Sequence, residues 1–226
     1  LYGFENELTI IDPEIIAKAA LKSPRMHAFF DHLGVKRDDA YDLIIAHILP
    51  RHAGDVWQES DNDALIGHVR YVKDKLGVYL ASAVARGKSE LDALAMLSGT
   101  LMIGTKEDAD VWIFDHAVSL YLGKEFKPLF CIETHLPNSI EAAYLVSPKY
   151  LQIHSTKENE RHVGAEVESW REFLLRIGVR EAPKLDIFDD GDAKMSLEMA
   201  SLAQSTQINT RRALLECLGR NWKLFA

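Results

Sequence analysis

Apolar positions in the first third of the chain recur at the three-to-four-residue period of helices with one buried face. Asp12-Pro13 reads as a helix start, an N-cap beside a proline whose fixed backbone suits the first helical position. Ile15, Ile16, Ala19 and Ala20 supply the stripe that follows. Ser23-Pro24 repeats the signal, and the second predicted helix runs to Leu33. Asp38 or Asp39 caps a third, which carries Tyr41, Ile44, Ile45 and Ile48 and is stopped by Pro50. A fourth begins near Asp61-Asn62-Asp63 with Leu65, Ile66, Val69, Val72 and Leu76 facing inward. Gly77 is a candidate stop for it, but continuation through Tyr79 to Val84 fits the apolar pattern better. Ser89 caps a fifth, running to Leu97.

The pattern then shortens. Thr100-Leu101-Met102-Ile103 and Val111-Trp112-Ile113-Phe114 flank the polar connector Lys106-Glu107-Asp108-Ala109-Asp110, which predicts a β-hairpin. Val118 to Leu122 follows as a short, mostly apolar run, and Ala143 to Val146 is extended before Pro148 opens a short helical turn. Lys157 to His162 reads as an exposed loop, and Glu166 to Ile177 as a helix with Val167, Trp170, Phe173 and Leu174 inside. Asp189-Asp190-Gly191-Asp192 is a turn or linker. Helix is expected again from about Lys194, with Asn209 or Thr210 capping a last helix whose apolar face is Leu214, Leu215, Leu218 and Trp222. The fold class is therefore α+β, helix-dominated, with a short β-hairpin or small antiparallel sheet in the middle. Three regions follow, a helical 1–98, an α+β 99–190 and a helical 191–226, all of which fit within one compact unit as well.

A packing phrase recurs: a helix ending in an aliphatic residue, then Gly, then often Val. It occurs at Leu33-Gly34-Val35 and Ile177-Gly178-Val179, with echoes at Leu76-Gly77-Val78 and Leu218-Gly219-Arg220. Glycine takes the left-handed conformation after the last turn, and the next apolar residue folds back on it, Val35 towards Phe30 and Val179 towards Leu174. The spacing from Gly34 to Gly77 resembles that from Gly178 to Gly219, within the range of helical repeat arrays, but the strand-bearing middle opposes a solenoid.

Composition narrows the class. With 226 residues and 47% apolar content the chain can bury a core, and 27% charged residues is ordinary for a folded domain. A formal charge of −8 opposes broad, sequence-independent nucleic-acid binding, though not a local basic face. Two cysteines, Cys131 and Cys217, make no disulfide framework or metal spacing, which suits a reducing, cytoplasmic setting. No apolar run approaches membrane-spanning length. The chain begins Leu1-Tyr2-Gly3-Phe4, without an initiator Met or signal-peptide pattern, so it is expected to start inside a longer polypeptide.

Candidate chemistry is sparse. His47 and His52 are five residues apart with Pro50 between them, and His27 and His32 share that spacing, whereas zinc hydrolases place two His four apart around a Glu. Asp115-His116 has no nameable third member. No Gly-x-Ser-x-Gly elbow or phosphate-cradling glycine loop occurs, and Cys131 reads as a small buried apolar residue. Asp189-Asp190-Gly191-Asp192 lacks the ligands of a calcium loop. The best binding candidate is the C-terminal helix, where Arg211, Arg212, Arg220 and Lys223 accompany Trp222. Arginine beside an aromatic suits a phosphate backbone or a stacked base. The same residues suit an amphipathic helix packing on another part of a longer protein.

At the level of phrases, the order is Leu33-Gly34-Val35, His47-Ile48-Leu49-Pro50, Gly99 to Lys106, Val118 to Leu122, Tyr144 to Leu151, then Trp170 to Leu174 leading to Ile177-Gly178-Val179 and Pro183. Over most of residues 10–190 this resembles the region downstream of the ATPase domain in large sacsin-like and NO VEIN-like proteins. Those proteins carry an N-terminal GHKL-type ATP-binding fold, and bacterial relatives are often associated with defence against phage. The Asn-bearing helix and Asp-x-Gly-x-Gly loop of that fold do not occur here, so the resemblance carries over no nucleotide-binding residue. It implies a non-catalytic scaffolding and interaction segment with no cofactor or metal of its own. Its expected contacts are other domains of the same polypeptide or a partner protein, through positions such as Trp57, Trp222 and Phe225. The alternatives are a nucleic-acid-binding module built on the basic C-terminal helix and a metal-dependent hydrolase built on the histidines.

Overall fold

A computed structural model describes residues 40–53, 62–105, 114–135, 145–151, 160–183, 185–187, 193–195 and 197–221. The helices expected over 12–33, the Gly34 stop and Trp57 lie outside these residues. The protein is helix-dominated α+β. It divides into two compact units, 1–101 and 102–226.

In the first unit three helical segments run without a break: Ala40–Leu43 (α1), the π-helical Ile44–Ile48, and Leu49–His52 (α2). Pro50, expected to end this helix, lies inside it. The wide π turn explains why. Leu49 N–H bonds back five residues to Ile44 O, which opens the space a pyrrolidine ring needs, and Pro50 enters the first turn of α2 where it owes no donor. Helix Asn62–Ala85 (α3) passes straight through Gly77, as the continuation reading expected. It packs against α1 and against Glu90–Thr100 (α4). Tyr41 stacks on Tyr79 at 5.3 Å, and Tyr79 Oη donates to Ala93 O at 3.2 Å, tying α1 and α4 to the same α3 side chain. Burial, and secondarily Tyr41, pushes the Tyr79 phenol up to about 12.

The real stop of α3 is Arg86-Gly87-Lys88, which the aliphatic-Gly-Val phrase did not flag. Gly87 has φ +80, its N–H bonds to Val84 O, and Lys88 N–H bonds to Ala83 O. This is the hydrogen-bond pattern of a Schellman cap. Its usual apolar clasp is replaced by cations on an aromatic face, with Arg86 at 4.4 Å and Lys88 at 5.8 Å from the Tyr41 ring. Two residues later Ser89 caps α4 by accepting from Asp92 N–H, as expected.

The second unit opens with an antiparallel strand pair where a hairpin was predicted; the connector Lys106 to Asp110 and Val111 to Ile113 of the predicted second strand lie outside the described residues. Met102–Gly104 (β1) pairs antiparallel with Phe114–His116 (β2), Ile103 opposite Asp115. Thr100, placed in the hairpin by sequence, is the last residue of α4. Residues 117–119 form a 3₁₀ turn, after which the chain is extended. That extended piece is held from both sides: Val146 N–H bonds to Tyr121 O, while Arg180 N–H bonds to Leu120 O and Leu122 N–H to Arg180 O. After Lys124–Phe126, a second 3₁₀ turn, and Ile132–His135 (α5), Ser147 caps the short turn Pro148–Tyr150, as the proline predicted. Tyr150 Oη accepts from Gly104 N–H at 2.9 Å and so anchors β1.

Helix Glu160–Arg176 (α6) begins six residues earlier than expected, so Glu160 to His162 are helical rather than loop. Its inner face is the predicted one, Val167, Trp170, Phe173 and Leu174, all buried. Ile177-Gly178-Val179 is the expected stop: Gly178 has φ +101, its N–H bonds to Leu175 O, and Val179 N–H bonds to Leu174 O. Leu174 and Val179 are both buried. Arg171 on α6 pairs with Glu181 beyond the stop and with Glu168 one turn back.

A second hairpin, Leu185–Ile187 (β3) with Ala193–Met195 (β4), spans the proposed 190/191 boundary. Lys194, expected in helix, is in β4; the short runs on either side of the Asp-rich segment carry too little apolar alternation to announce strands. Two helices follow, Leu197–Gln204 (α7) and Ile208–Asn221 (α8).

Gly219 lies within α8 as Gly77 lies within α3, so neither echo of the packing phrase is a helix stop, and the repeat spacing built on them has no structural counterpart. The contrast gives a paired test. A Cβ at Gly178 meets left-handed backbone, so Gly178→Ala is expected to cost about 1–2 kcal/mol. Exposed Gly77 has open space around it, so Gly77→Ala is expected to stabilise by about 0.5–1 kcal/mol. Urea midpoints of the two variants moving in the same direction would contradict this.

Candidate interaction surface

The α7–α8 pair is seated on the second unit by a cluster of Tyr121, Phe130, Ile132, Leu145, Met199, Leu202, Leu214 and Cys217. That seat sets the rotation of α8. Its inner face is Thr210, Leu214 and Cys217, with Leu218 half-buried beside them. Leu215, assigned by sequence to the inner face, is 68% exposed and points away. Thr210 and Cys217 can substitute for large apolar residues there because each finds a local partner. Thr210 Oγ1 donates to Gln207 Oε1, and the Asn221 amide reaches Cys217 O. Burial pushes the Cys217 thiol up, so it stays a neutral packing group. Neither Asn209 nor Thr210 caps α8: the helix starts at Ile208, and Arg211 N–H bonds to the Gln207 carbonyl.

The outward face holds the sequence-predicted residues. Arg211, Arg212 and Arg220 are exposed, whereas Trp222 and Lys223 lie outside the described residues. Arg212 and Arg220 flank Glu216 at 3.8 and 4.0 Å, long exposed pairs that contribute little energy and leave both guanidinium groups open to other anions. Between the arginines stand Ile208, 73% exposed, and Leu215. These two are seven residues apart and so share one stripe. The sequence signal was present, since Ile208 and Leu215 form a second apolar period out of phase with Leu214 and Cys217, but without the seat nothing said which stripe faces in.

Among the described residues the histidines do not assemble as a catalytic centre; His27 and His32 lie outside them. His47 is exposed, while His52, buried at the end of α2, lies 3.2 Å from His68 of α3, Nε2 to Nδ1. This pair is sixteen residues apart and escaped the sequence spacing test, and no helix break separates His47 from His52. Burial, with help from Arg51, pulls the His68 pKa down to about 4, so the ring is neutral near pH 7. The arrangement is a buried imidazole–imidazole hydrogen bond linking two helices. Asp115 Oδ1 accepts from the His116 backbone N–H, a local bond. Among the described residues no three His, Cys, Asp or Glu side chains converge as ion ligands. Cys131 is half-buried rather than buried, and its sulfur accepts from Thr134 Oγ1. No described helix is long and apolar enough to cross a membrane.

No protein-family model, curated protein or solved structure matches this chain.

Proposed function

We propose that this chain is a non-catalytic interaction and coupling segment of a larger cytoplasmic polypeptide bearing a GHKL-type ATPase, of the sacsin-like and NO VEIN-like kind, serving in bacterial defence. The observation that carries this is α8, which is apolar on two sides: one stripe seats the helix, and the other, Ile208 and Leu215, is presented among arginines. Exposed aliphatic side chains ringed by charge are the composition of contact surfaces. Several other polar side chains, Ser89, Ser147, Arg171 and Tyr150, serve as caps, clamps and helix ties.

The test is the complete reading frame and its product. An ATP-binding fold upstream, with crosslinks from α8 to another domain of the purified full-length protein, is the expected result. A complete frame with no such fold would overturn it. The three exposed arginines favour nucleic acid as the second reading. Salt-sensitive DNA or RNA binding that disappears in Arg211→Ala with Arg212→Ala is its signature.

A further inference from the structure

We infer that the outward face of α8 docks an acidic amphipathic helix, whose aliphatic seam lies along Ile208 and Leu215 and whose carboxylates meet Arg211, Arg212 and Arg220. This rests on the interaction-segment reading above and names the chemistry of the partner. Ile208 and Leu215 stand 73% and 68% exposed, one heptad apart, on a helix whose other side is fully engaged by the cluster beneath it. A repeat of seven is the spacing at which one helix presents knobs to another. One turn beyond Leu215, Gly219 has nothing within 4 Å of where a Cβ would sit, so a partner backbone can approach closely there.

Charge selects the kind of helix. Three guanidinium groups flank the seam against one carboxylate, Glu216, which holds two of them only at 3.8 and 4.0 Å. The face is basic although the chain as a whole carries −8, so its complement is acidic. Among the described residues the centre of the face is aliphatic, Ile208 and Leu215, which favours the apolar seam of a helix over stacked bases.

The probe is a three-heptad helical peptide with Leu at the seam and Glu at the flanking positions, titrated against the whole chain; a matched peptide carries Lys in place of Glu. The Glu peptide is expected to bind, the Lys peptide to bind at least about tenfold more weakly, and Leu215→Ser or Arg212→Glu to weaken the Glu peptide by a similar factor. These variants sit on exposed positions, so circular dichroism and urea midpoint should match the parent. Equal binding of the two peptides, or binding unchanged by Leu215→Ser, overturns the inference. So does a surface that instead binds single-stranded oligonucleotide, or self-associates, in a manner abolished by the same variants. If the peptide fails while the full-length protein still crosslinks through other surfaces, only the α8 face is lost. A reading frame without an ATPase leaves the peptide result standing and removes the parent reading instead.

Discussion

Trp170→Ala is expected to lower the stability of the second unit by roughly 3–5 kcal/mol, a large part of the total for a domain of this size. Trp170 is 3% exposed, lies 5.0 Å from the Tyr150 ring, and meets Phe173 edge-on at 5.8 Å. Removing the indole deletes the ring packed against Tyr150, and Tyr150 Oη in turn accepts from Gly104 N–H in β1. The loss should therefore appear twice, in the urea midpoint and in faster hydrogen exchange at the Gly104 amide. Trp170→Phe keeps an aromatic face towards Tyr150 and should fall between the alanine variant and the parent. A Trp170→Ala midpoint unchanged within error, or Gly104 protection equal to the parent's, would show that the helix is not what braces β1.

Acidification should destabilise the first unit through His68. Its folded pKa of about 4 lies below the ordinary value of 6.5, so between those values the unfolded chain binds a proton that the folded chain refuses. The stability linked to this group is complete above about pH 6.5, declines as pH falls towards 4, and changes no further below it. The gap corresponds to about 3 kcal/mol as an order of magnitude. The cause is local: a proton on His68 places charge in a buried site beside Arg51 and forces the His52–His68 pair to carry it. Urea midpoints between pH 7 and 4.5 measure the slope. His68→Gln, neutral throughout and still able to hydrogen-bond, should flatten that part of the profile. An equally steep profile in His68→Gln would place the acid sensitivity elsewhere.

Much of the local structure was written in short-range pattern. The inner face of α6, the Gly178 stop, the Ser89 and Ser147 caps, the continuity of α3 and the pairing of β1 with β2 each depend on residues within a turn or two of one another, and each is as expected. The failures share a different origin. Pro50 stays inside a helix because a π turn makes room for it, a choice between backbone ladders that composition does not display. Gly87 ends α3 with a cation–aromatic clasp in place of the apolar one sought, and Tyr41, which supplies the ring, is more than forty residues away in the chain. The His52–His68 pair exists because two helices meet, not because of any spacing along one of them.

The candidate surface divides in the same way. From sequence alone came α8, its arginines and its abundance of aliphatic residues, since periodicity and charge are properties of the chain. Which stripe faces out was decided by tertiary packing: the cluster around Tyr121, Phe130 and Leu202 accepts Leu214 and Cys217, and rotation about the helix axis then carries Ile208 and Leu215 to the surface between the arginines. A helix with two apolar stripes is degenerate until something occupies one of them, because burial energy depends on the area covered and not on the order of residues that cover it.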